Sequence, residues 1–281
     1  MLISLGACSP RQMIVQSLAD ELATQGQAAE DDLVLAREAS AFYLKLSESV
    51  LSQTPTNLKL AAAVAGGFTQ YAFAFVAFEA ERTEAKDAKA AQKLRERAAR
   101  LYERAHHHAM AALEHQSPGF ARALASSNAA DWPSLTDEQI AVAYWAAASW
   151  GGLISLSKDN PDVVADLPLA IRLAHLAWNK NPDFGSGALA SLMGTFEAAR
   201  PGGSRLAATD FFDKAIAISA GKSAGAYVAK AESVALVAGD RAAFEALLHQ
   251  AIEAGKVERS LPNAVMGERA VWLLDTSDDL F

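Results

Sequence analysis

The chain has 281 residues, with 33 acidic against 25 basic side chains and a formal net charge of −8. That balance excludes a nucleic-acid surface, which needs a basic stripe to neutralise phosphates, and the single cysteine excludes an internal disulfide or a cysteine-based zinc finger. Alanine occurs 62 times with few β-branched runs, which predicts an all-α protein able to bury a core without staples.

Residues 1–8 end in Leu5-Gly6-Ala7-Cys8, which reads like a bacterial lipobox. Small residues there let a signal peptidase close on the chain, and the thiol takes a diacylglyceryl group that anchors without a spanning helix. No basic n-region precedes it, so an incidental cysteine stays open as the other account. Residues 9–281 then read as one all-helical domain.

Ser9-Pro10 caps a first helix that runs to about Thr24. Asp31 and Asp32 open a second, with Leu35, Ala39, Phe42, Leu46 and Val50 on one face at helical spacing. Thr54-Pro55 starts a third, through Leu60 to Phe78, and Asp87 a long charged fourth with a stripe of Leu94, Ala98, Leu101, Ala105 and Ala109. Ser117-Pro118 precedes a short fifth, and Thr136 with Gln139 makes a capping box for a sixth. Further helices follow breaks at Asp166, Asn181-Pro182, Gly203, Gly221, Gly239 and Ser260. The sum is about eleven helices and no sheet.

Prolines 55, 118 and 182 each follow a helix end and a polar turn, and they stand 63 and 64 residues apart. That is nearly twice a tetratricopeptide repeat of about 34 residues. The expected architecture is an irregular tetratricopeptide-like solenoid of helical hairpins.

Leu60–Phe78 and Ile140–Ser157 carry no charge and reach membrane-spanning length. Their alanine, glycine and serine content, and the acidic Glu79 and Glu81 alongside, favour central helices of a bundle. Gly66-Gly67 and Gly151-Gly152 weaken these helices by roughly 1 kcal/mol per glycine. Two accounts stay open: tight helix crossings, or a ligand cleft with apolar walls and a few polar groups. The cleft would use Phe68, Tyr71, Phe75, Tyr144, Trp145 and Trp150 as walls. Gln70, Ser155 and Lys158 would orient a ligand at its mouth, with Lys158 meeting a carboxylate.

His106-His107-His108 point about 100° apart on a helix and cannot converge on one ion. The stretch 219–225 looks like a P-loop ending, but Ile216 stands where the first glycine is required. Glu79, Glu81 and Glu84 read as a solvated helix end. No catalytic constellation, metal site or cofactor is expected.

The segments 66–81 (GGFTQYAFAFVAFEAE), 144–168 (YWAAASWGGLISLSKDNPDVVADLP), 197–203 (EAARPGG) and 273–281 (LLDTSDDLF) together resemble the T component of tripartite ATP-independent periplasmic (TRAP) transporters, the TatT family. The lipobox-like start is similar to that of many members. The resemblance implies a tetratricopeptide-like protein of the periplasm or cell envelope, lipid-anchored at Cys8. It also implies association with the periplasmic solute-binding component and a hydrophobic ligand such as an organic acid. A homo-oligomer stays open. The rival is a cytosolic peptide-binding adaptor with neither export nor acylated Cys8.

Overall fold

The computed structural model describes residues 10–25 and 32–281. Among them there are helices and turns only. The main helices are α1 (Pro10–Gln25), α2 (Leu33–Gln53), α3 (Leu58–Glu84), α4 (Ala88–Gln116), α5 (Ile140–Leu156), α6 (Leu167–Lys180), α7 (Ala188–Ala199), α8 (Arg205–Ile218), α9 (Ala224–Lys230), α10 (Arg241–Val257) and α11 (Leu261–Asp275). Consecutive helices pair as hairpins, as the repeat reading expects.

Local chemistry sets the boundaries. Carboxylate or amide oxygens of Asp32, Asn57, Asp87 and Asp240, and the hydroxyls of Ser204 and Ser260, accept from the first free backbone N–H groups of their helices. Thr136 and Gln139 form the reciprocal capping box ahead of α5. Helix α3 starts three residues later than expected, because Thr54 closes α2 and Asn57 does the capping. Beyond α7, the Glu197 carboxylate accepts from Arg200 through Nε and Nη2 (2.7 and 2.8 Å) and from the Ser204 N–H (2.7 Å). A Cβ at Gly203 would lie 1.9 Å from the Glu197 carbonyl oxygen, so this turn requires glycine.

The two charge-free helices are interior. Helix α3 packs on α1, α2, α4 and α5, and α5 on α3, α4 and α6. By length and composition α3 could cross a membrane, but most of its apolar stretch is buried within the fold. Their glycines admit rings from neighbouring helices. A Cβ on Gly66 would come within 2.6 Å of the Trp145 indole, one on Gly151 within 2.8 Å of Phe196, and one on Gly152 within 2.6 Å of Tyr102. Fully buried alanines, among them Ala61, Ala65, Ala105, Ala109, Ala143 and Ala146, bring the same axes close.

The face expected of α2 is corrected by the structure. Only Val50 of that stripe is buried. Leu35 is 52% and Phe42 75% exposed, with Ala39 and Leu46 exposed beside them. The buried face is instead Ala36, Leu44, Ser47, Val50 and Leu51, about a third of a turn away. Periodicity identifies an apolar stripe, but which of two stripes meets the core depends on neighbours distant in sequence.

Two hydrophobic cores result. One runs from α1 to α7, and the other joins α9, α10 and α11, with Ala190, Ala215 and Ala226 packed between them.

Gly66→Ala should destabilise the protein by about 1–3 kcal/mol, since the added methyl meets a ring held on both sides. Thermal unfolding should show Trp145→Phe recovering part of that loss in the double variant. Additive effects would mean that the ring and the glycine are not coupled.

Candidate functional site

The aromatic candidates fall into four groups rather than one wall. Tyr71 and Phe75 stack edge-on at 5.4 Å, with the Arg97 guanidinium over Tyr71. Phe68 is buried and lies against His108 (6.2 Å) beneath Arg104 (5.0 Å). Trp150 is buried against His106, ring centres 4.3 Å apart. Tyr144 and Trp145 are half-buried, 4.7 Å apart, and Tyr144 also meets Phe184 at 5.3 Å. Gln70, Ser155 and Lys158 are exposed, and the Ser155 hydroxyl donates to the Gly152 carbonyl. Cys8 lies outside the described residues.

Tyr144 has the features of a binding group. Burial pushes its phenol up to about 12, so it is a neutral donor at any physiological pH. Its hydroxyl makes no hydrogen bond among the described residues. A half-buried Trp, Tyr and Phe around one free hydroxyl can hold an apolar molecule and orient one polar group on it.

The histidine run diverges as helix geometry requires. His106 bonds the Ala146 carbonyl oxygen (3.2 Å) and His108 the Glu48 carboxylate (2.7 Å). Burial holds His106 below the usual histidine range, against the raising effect of its backbone bond.

The sequence did not single out the polar centre that joins the two cores. Arg269, on α11, is 6% exposed. Its Nη2 donates to Glu81 (2.8 Å) on α3 and to Glu232 (2.6 Å). The rings of Phe73, Phe78 and Trp272 surround its guanidinium at 5.2–5.9 Å. Both carboxylates raise the guanidinium pKa above its usual value, outweighing its burial. Phe73 and Glu232 each belong to a π-helical turn, Phe73–Ala77 in α3 and Ala231–Ala235 after α9. These turns add a residue to the helix and re-aim the side chains toward Arg269. Alongside, Arg82 pairs with Glu268 (2.7 Å) and Phe78 meets Trp272 edge-on at 5.5 Å. Glu81 therefore has a specific partner, although it stands at an exposed helix end as expected. A charge three residues past the apolar run was the only signal in the sequence.

The described residues thus define an all-helical hairpin solenoid with apolar, aromatic central helices. Residues 29–281 match the TAtT family, TRAP transporter T-component, and the chain belongs to that family. It is also similar to an uncharacterised protein of Treponema pallidum (strain Nichols), 24% identical over 274 residues, covering 94% of this chain and 85% of the relative.

Arg269→Met should cost about 3 kcal/mol, the low end for a broken buried pair because Glu81 and Glu232 keep some exposure. Chemical denaturation reads this directly. His106 has the opposite linkage to a salt-bridged histidine. Below the ordinary histidine value of about 6.5 the unfolded chain takes up a proton that the fold resists, so stability should fall as pH falls from there. His106→Gln should flatten that limb of the curve of melting temperature against pH.

Proposed function

We propose that this protein is a periplasmic accessory subunit that associates with the solute-binding component of a TRAP-type transporter and shelters a hydrophobic ligand. The observation that carries the reading is the family match over residues 29–281. The chemistry is compatible with it, since ligand discrimination would rest on shape and a few hydrogen bonds rather than on a reaction. Of the residues singled out from sequence, Tyr144 and Trp145 are the best wall, because they touch, stay partly accessible and leave a hydroxyl free. Lys158 stands two residues beyond α5 and could meet an acidic ligand entering there. Lipid attachment at Cys8 would hold the whole at the membrane surface.

Sedimentation or calorimetry with the solute-binding protein of a TRAP system should show a complex. No association with any such receptor from the same genome would remove the reading. Titration with medium-chain or aromatic acids should quench tryptophan emission, and Tyr144→Phe should weaken binding severalfold with an unchanged helical signal. Mass spectrometry of the precursor expressed in a Gram-negative host should find a diacylglyceryl group on Cys8, and Cys8→Ser should shift the protein to the soluble fraction.

A further inference from the structure

Helix α2 presents an apolar stripe that no described residue covers. Leu35, Ala39, Phe42 and Leu46 are all exposed, Phe42 by 75%. At 100° per residue they fall within an arc of about 60°, with no charged side chain inside it. Glu38 and Lys45 stand beyond one edge, one of each sign. Exposed leucines scattered singly need no explanation, but three large apolar side chains in one row mark an interaction surface.

The position of the stripe narrows what covers it. Tyr43 is about 70° round the helix from its centre, and the Tyr43 hydroxyl donates to the Leu22 carbonyl oxygen of α1. Glu48 is about 150° away in the other direction and meets Arg104 and His108 of α4. The stripe therefore lies on the flank of α2 that is shared with α1. Leu18, one turn before Leu22 on α1, is exposed as well. Helix α1 begins at Pro10, two residues after Cys8, so a lipid on that cysteine is joined to α1 by at most about 7 Å of chain. A second copy of this chain is the other obvious cover, and the area argues against it. The stripe exposes roughly 300–400 Å² of apolar surface, about half of the ~800 Å² per partner in a stable interface. A bilayer needs no such area, because an acyl chain already holds the protein there and each apolar side chain adds to the hold.

We propose that the α2 stripe seats the protein on a lipid bilayer, with Leu35, Phe42 and Leu46 entering the outer edge of the hydrocarbon. The choice of a bilayer rests on the lipid-anchor reading of Cys8. A lone anchor leaves the protein free to turn about Cys8, whereas a second contact fixes which face looks away from the membrane. The contact is apolar rather than electrostatic, since the stripe is uncharged and the chain carries a net charge of −8. By itself it is weak, so Cys8→Ser is still released on cell fractionation.

The test uses the full chain, acylated in a Gram-negative host and reconstituted into vesicles of phosphatidylethanolamine and phosphatidylglycerol, three to one. Acylation blocks the one native thiol, so Ala39→Cys offers a single labelling position inside the stripe. Glu253→Cys, on α10 and 67% exposed, is the control. A nitrobenzoxadiazole label at 39 should be quenched by acyl-brominated lipid, and the same label at 253 should not. Equal quenching at the two positions, with Cys8 acylated, would overturn the stripe and leave the anchor standing. If mass spectrometry instead finds Cys8 unmodified, the anchor reading falls and Cys8→Ser carries the test of the stripe. That protein should sediment with the same vesicles at millimolar lipid, and adding Leu35→Ser with Phe42→Ser should weaken binding about tenfold at an unchanged melting temperature. No binding, or binding that the serines leave intact, would overturn the proposal. So would binding abolished by molar salt, which would mark an electrostatic contact. A label at 39 already blue-shifted without lipid would assign the stripe to a second copy at dimeric mass, or to the chain's own residues at monomeric mass, and either result also overturns the bilayer.

Discussion

The close approach of α3, α4 and α5 is the constraint on which the rest of the molecule depends. Three helices can share one axis-to-axis neighbourhood only where their facing side chains are small, and fully buried alanines provide that on each of them. Glycine goes further at a few positions, where it lets Trp145, Tyr102 and Phe196 lay rings directly on a neighbouring backbone. The rings gain dispersion contact over a whole face, which offsets the helix propensity lost at each glycine. For Gly66, Gly151 and Gly152, the molecule that approaches the backbone is therefore the protein itself. A ligand must use the accessible sides of the same rings, and Tyr144 with Trp145 offers such a side.

With the first seven helices fixed this way, the C-terminal unit docks by a different physics. Its three helices have their own apolar core, and Ala190, Ala215 and Ala226 pack α9 against α7 and α8. Toward α3 the junction is polar: one guanidinium between two carboxylates, enclosed by three rings. Such a centre contributes less to stability than the same area of packed hydrocarbon, but it tolerates only one register. A slip of one residue in α11 would leave Arg269 and both carboxylates without partners. The two π-helical turns fit this account, since each re-aims one of the groups that Arg269 needs.

Much of the fold was legible because it is written locally. Caps, proline turns and the alanine content place nearly every helix, and the capping box at Thr136 is present as read. What failed was tertiary. The stripe from Leu35 to Leu46 has the spacing of a core face and faces outward, because α1 and α3 meet α2 on its other side. Likewise, the aromatic candidates were correctly placed on interior helices, yet they divide among separate ring contacts. Arg269 was illegible for a related reason: its partners lie 188 and 37 residues away, and no local pattern marks a cation as buried.

The distribution of charge bears on how a binding protein of this kind could discriminate. In an acidic chain, an organic anion is repelled over most of the surface. Any anion it holds must be held where the field is locally reversed or screened by burial. The half-buried rings around Tyr144 provide the second condition. A neutral phenol among aromatic rings reads shape and one hydrogen bond rather than head-group charge, so preference there would be set by the stem of the ligand and would change little with salt.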